Sequence, residues 1–158
     1  MIRGIHHIGM HAKNFEAMRK FYKEAFGFVE VGEEMSWTPN PFGDALMGIQ
    51  NGAGRLITLK GPNCCIEMFE FTSPPPREGG PNQPNDLGYT HLSVECTDIE
   101  KDMERLKGLG MTFTADAPGD LGTVKSIYGR DPDGNVIELQ QIMDKGPLAF
   151  ENFSIAAS

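Results

Sequence analysis

Two histidines and two glutamates recur at matching places in this chain. His7 lies in the apolar segment Ile5-His6-His7-Ile8-Gly9-Met10, and His91 in Tyr89-Thr90-His91-Leu92-Ser93-Val94-Glu95. His7 stands as far before Phe15, the first apolar residue of a helical pattern, as His91 stands before Ile99, the first of another. Glu67 and Glu138 each occupy the middle of an apolar triplet, Ile66-Glu67-Met68 and Ile137-Glu138-Leu139. Singly these are ordinary residues, since a lone strand histidine is more often a satisfied core residue and a lone strand glutamate a solvated one. A carboxylate in an apolar strand is costly to bury unless something pairs with it. As a repeated set they suggest specific chemistry. Two neutral imidazoles and two carboxylates suit one borderline divalent ion such as Zn²⁺, Ni²⁺, Co²⁺, Fe²⁺ or Mn²⁺. Two charged ligands also neutralise that ion, which eases their burial.

The elements that must position these side chains repeat as well. Residues 14–25 carry Phe15, Met18, Phe21, Tyr22 and Ala25 at helical spacing, with Asn14 as N-cap and Gly27 as C-cap. Asp98 caps a second helix whose apolar face is Ile99, Met103, Leu106 and Leu109, ended by Gly110. Strands are expected from Phe28 to Val31, Arg55 to Lys60 and Cys64 to Phe71, and again from Met111 to Ala115, Val124 to Tyr128 and Val136 to Ile142. Asp131-Pro132-Asp133-Gly134 reads as the tight turn before the last strand. Residues 36–53 read as a long excursion with a helical turn at Asp44–Met47, a candidate lid with Trp37 and Phe42, or a plain surface loop. Strand parity then decides orientation. Ile8, Met10, Leu92 and Val94 can cover helices, while His7, His91, Glu67 and Glu138 oppose their apolar neighbours and converge on the other face. The fold class expected is α+β, with two tandem βαβββ modules: module 1 at about 3–71, a Pro-rich linker at 72–87, module 2 at about 88–143, and a tail at 144–158. Phe150, Phe153 and Ile155 suggest that the tail packs against something.

Composition narrows the function classes. At 158 residues and a net charge of −8, without a local Lys/Arg cluster, the chain is a poor partner for nucleic acid or an anionic membrane. No leader or membrane-spanning segment is expected. Three cysteines, two of them adjacent, make no disulfide framework, and a cytoplasmic location is expected.

On Gly4-Ile5-His6-His7-Ile8-Gly9, Phe21-Tyr22-Lys23-Glu24-Ala25-Phe26-Gly27-Phe28 and Asp131-Pro132-Asp133-Gly134-Asn135-Val136-Ile137-Glu138-Leu139, the chain resembles the vicinal oxygen chelate superfamily over about residues 3–143. That superfamily includes glyoxalase I, methylmalonyl-CoA epimerase, fosfomycin-resistance proteins and extradiol dioxygenases. The resemblance implies a U-shaped cleft holding one divalent metal ion, with His7, Glu67, His91 and Glu138 as ligands and His6 structural. It also implies a small-molecule substrate and a homodimer.

An open metal polarises a substrate oxygen, and a neighbouring carboxylate moves a proton. By resemblance, Glu138 or Glu67 is the catalytic base. The long linker favours an epimerase or isomerase of the methylmalonyl-CoA epimerase type, although that group commonly has Gln where this chain has Glu67. Glu33, Glu34 and Asp44 are candidates for a further carboxylate. A glyoxalase I-like lyase is the alternative, weakened because His11 and Phe71 stand where small bacterial glyoxalases use Arg and Asn for glutathione. An Fe²⁺ extradiol-type dioxygenase would need only His7, His91 and Glu138, with Tyr128 matching a tyrosine near the extradiol site, but residues 112–127 contain no histidine for its extra catalytic group. A metal-free binder that sequesters a ligand is the different-class reading.

Overall fold

A computed structural model describes residues 4–77 and 83–152. The chain divides into two compact units, Met1–Gly79 and Gly80–Ser158, each with its own sheet and helix. Gly79, Gly80 and Pro81 of the expected linker, and Phe153 and Ile155 of the tail, lie outside the described residues.

The first unit runs β1 (His7–His11), α1 (Phe15–Phe26), β2 (Val29–Trp37), α2 (Pro41–Met47), β3 (Ala53–Lys60) and β4 (Cys65–Ser73). Its sheet has the order β1-β4-β3-β2, with β1 parallel to β4 and the other pairs antiparallel. Asn14 caps α1 by accepting from the Ala17 N–H, and Gly27 closes it in the left-handed conformation at φ 70°. Phe15, Met18, Phe21, Tyr22 and Ala25 are buried, as are Ile57, Leu59, Ile66 and Met68 of β3 and β4. The helical and strand periodicities thus meet in one core, leaving the alternate side chains of β3 and β4 on the opposite face.

The second unit runs β5 (Leu92–Glu95), α3 (Ile99–Gly108), β6 (Thr112–Phe113), β7 (Gly119–Asp120), β8 (Val124–Arg130) and β9 (Val136–Ile142), followed by a 3₁₀ turn at Phe150–Asn152. The order is β5-β9-β8-β6, with β7 also on β8 and β5 parallel to β9. Asp98 caps α3 through the Lys101 N–H. Ile99, Met103 and Leu106 are buried, as are Ile127, Ile137 and Leu139. Apart from α2 and β7, each unit is βαβββ in the same strand order, so the mixed α+β class and the repeat are both present.

Several elements differ from the sequence expectation. β2 continues to Trp37, through a bulge between Val31 and Met35 where Gly32 takes φ 75°, because β3 offers partners as far as Gly54. The Gly-Glu-Glu interruption conceals that continuity, and α2 begins earlier, at Pro41 on an Asn40 cap. β5 is shorter than expected, and His91 falls just before it. Leu92 pairs with Ile137, and β9 begins at Val136, so the ladder ends there. β7 has no signal in the sequence pattern because a two-residue strand shows no alternation.

Candidate metal centre

In the first unit the parallel register sets Gly9 opposite Glu67. His7, two residues before Gly9, therefore shares the face of Glu67, and its Nε2 lies 3.6 Å from Glu67 Oε2. The other ring nitrogen, Nδ1, is 2.9 Å from His6 Nδ1. One of those two nitrogens carries the proton, and a donating His7 Nδ1 leaves Nε2 with its lone pair free. His6 is thus the orienting partner of His7.

The second unit repeats the arrangement. Ser93 stands opposite Glu138, and His91 is two residues earlier. His91 Nε2 is 3.4 Å from Glu138 Oε2, and its Nδ1 is 2.9 Å from Thr90 Oγ1. Glu138 is held further: the Ser126 hydroxyl donates to its Oε1 at 2.6 Å. Tyr128 faces Glu138 across the β8–β9 ladder, its ring edge-on to His91 at 5.2 Å between centroids. Burial first, and the Glu138 charge second, push the Tyr128 phenol above its ordinary value.

Both His–Glu separations exceed a good hydrogen bond. Two donors each about 2.1 Å from one tetrahedral ion would stand about 3.4 Å apart. The pairs fit that spacing, and their chemistry, imidazole nitrogen beside carboxylate oxygen, suits a borderline divalent ion. The structure brings His7 to Glu67 and His91 to Glu138. Among the described residues no group of three or more His, Cys, Asp or Glu side chains is gathered closely enough to hold an ion.

The other sequence candidates have different work. Glu34 pairs with Arg19 at 3.0 Å and Arg55 at 3.3 Å, and Asp44 accepts from the Asn51 and Gly52 N–H groups, both at 2.8 Å. Glu33 is exposed. His11 accepts from the Phe71 N–H at 3.1 Å while its ring packs edge-on to Phe71 at 5.3 Å, so these two residues engage one another. Ser126 and Thr90 were not singled out from the sequence. Counting back from the Asp131 turn would have placed Ser126 diagonal to Glu138 on the same face, whereas Thr90 carries no pattern of its own.

The sequence profile of the Glyoxalase/Bleomycin resistance protein/Dioxygenase superfamily matches residues 4–139. The chain belongs to that superfamily. YwkD of Bacillus subtilis (strain 168), an uncharacterized protein, is 23% identical over 141 residues, spanning 89% of this chain and 98% of that one. A glyoxalase family protein from Bacillus cereus has a similar fold, with TM-score 0.78 at 17% identity, over 91% of this chain and 96% of that one. So does the genomically encoded fosfomycin resistance protein FosX from Listeria monocytogenes, solved with Mn(II) and sulfate, with TM-score 0.57 at 20% identity, over 89% and 93% of the two chains. No helix among the described residues is long and apolar enough to cross a membrane.

Proposed function

We propose that the protein is a divalent-metal-dependent enzyme that polarises a substrate carbonyl and moves a proton with a glutamate, acting as an epimerase or isomerase. The observation that carries the reading is the matched pair of His–Glu contacts, 3.6 Å in one unit and 3.4 Å in the other, on equivalent strands. The ligands proposed are His7, Glu67, His91 and Glu138. A bound divalent ion supplies Lewis acidity, which lowers the cost of removing a proton alpha to a ligated carbonyl. His6 and Thr90 lie 2.9 Å from the Nδ1 atoms of His7 and His91, where accepting an N–H from Nδ1 leaves Nε2 unprotonated. A carboxylate oxygen of Glu67 or Glu138 takes the alpha proton and returns it to the opposite face of the same carbon, or to its neighbour. Mn²⁺ is the ion to try first, because the FosX relative was solved with it. The active form proposed is a cytoplasmic homodimer acting on a small molecule.

Two measurements test this. Metal content of protein purified without added metal should fall sharply in His91→Ala, and unchanged content would sink the metal reading. Metal-loaded protein in D₂O should exchange the alpha proton of an acyl-CoA thioester. Absence of exchange across a panel of such thioesters would favour the glyoxalase-like lyase, whose proton moves between adjacent carbons.

A further inference from the structure

The face of the first sheet that carries Glu67 is an aromatic surface. On β4, Glu67, Phe69 and Phe71 alternate with Ile66 and Met68, which are buried at 2% and 0% exposure. Phe69 stands opposite Leu56 and Phe71 opposite Gly54, which in turn faces Trp37. The rings form one cluster: Phe69 stacks on Phe71 at 5.5 Å and 23°, and Trp37 meets Phe71 edge-on at 5.3 Å and Phe69 at 6.1 Å. Two glycines shape it. Gly54 lets the Trp37 ring pack closely, since a Cβ there would come within 2.9 Å of that ring and 2.3 Å of the Glu70 carbonyl oxygen, and Gly9 places no side chain opposite Glu67. All three aromatic residues retain partial exposure. Among the described residues the buried Trp37 indole N–H has no hydrogen-bond acceptor.

We propose that Trp37, Phe69 and Phe71 form a subsite for an aryl group of the substrate, adjoining the His7–Glu67 pair; this rests on the metal reading above. One two-residue step along β4 separates Glu67 from Phe69, about 7 Å, the reach of a ring attached near the carbon that bears the ligated oxygens. Planar rings gain most from such a surface, by stacking on Phe69–Phe71 and meeting the edge of Trp37. His11 and Phe71 engage one another, through the Phe71 N–H and an edge-on ring contact, at the places where a glutathione-using relative would bind its peptide.

Trp37 is the chain's single tryptophan, so its emission reports on this subsite alone. The Mn²⁺-loaded protein is titrated with mandelate and with lactate, which differ only in phenyl against methyl. Mandelate is expected to bind about tenfold more tightly and to change Trp37 emission. Phe71→Leu, which keeps the apolar volume, should remove that preference while Mn²⁺ affinity stays unchanged. Equal affinities for the two acids, or a preference that survives Phe71→Leu, would overturn the aryl subsite and leave the metal reading standing. Failure to bind Mn²⁺ would overturn the metal reading instead. Repeating the comparison in EDTA with toluene against lactate then tests the aromatic surface by itself, and an unaltered Trp37 emission would overturn it.

Discussion

Glu67 and Glu138 are equivalent in fold but not in surroundings. Glu138 has the Ser126 hydroxyl on one oxygen and His91 beside the other, with Tyr128 across the ladder. Its side chain is 17% exposed, against 29% for Glu67. A carboxylate oriented by a hydroxyl presents one fixed oxygen to an ion, and loss of such an orienting partner typically costs about 10–100-fold in metal affinity or activity. Ser126→Ala should therefore weaken Mn²⁺ binding by about that factor, measured by calorimetry, while Ser126→Thr, which keeps the hydroxyl, should restore most of it. Equal affinity in wild type and Ser126→Ala would show that Glu138 needs no such support.

At the scale of elements, the turn between β8 and β9 sets which residues of β9 face which way. The Asp131 carboxylate, 4% exposed, accepts from the Asp133 and Asn135 N–H groups and from the Asn135 side-chain amide. The Gly134 N–H returns to the Asp131 carbonyl at 2.9 Å with Gly134 at φ 92°, a conformation that favours glycine. This network pins the register that puts Tyr128 opposite Glu138. A slip of one residue would exchange Glu138 for Ile137 or Leu139. Asp131→Ala strips three donors of an ionised acceptor and should lower stability by about 2–3 kcal/mol in urea unfolding. A loss below about 0.5 kcal/mol would mean that the strands, not the turn, hold the register.

For the molecule as a whole, the acidic balance of −8 is offset locally on the α1 side of the first sheet. Arg19 and Lys23 both bond Glu30, and Arg55 bridges Glu16, Glu34 and Glu70. Arg19 first, and Lys23 second, hold the Glu30 carboxyl well below the usual carboxylate range, at about 2. A carboxyl with a lower pKa folded than unfolded stabilises the fold above the usual carboxylate range, and that contribution disappears as pH falls towards 2. The urea midpoint should therefore fall on acidification below about pH 5, less steeply in Glu30→Gln and less steeply at high salt, because these side chains are partly exposed. Identical slopes for wild type and Glu30→Gln would remove Glu30 from the acid response.

Much of this could be read without coordinates. Helical spacing from Phe15 to Ala25 and from Ile99 to Leu106, caps at Asn14 and Asp98, and the two apolar-Glu-apolar triplets follow from local chemistry. They specify the repeat and the parity that turns His7, His91, Glu67 and Glu138 away from the helices. Other features depend on contacts between residues distant in sequence. β2 reaches Trp37 only because β3 continues beside it, and β5 begins only at Leu92, where its pairing with Ile137 near the start of β9 begins. Ser126 reaches Glu138, and Trp37 joins Phe69 and Phe71, through the register of paired strands. Periodicity states which face a side chain takes, but it contains no term for which residue of another strand stands opposite. Tertiary pairing made that choice, and with it the orienting partners of the glutamate and the aromatic surface beside the first His–Glu pair.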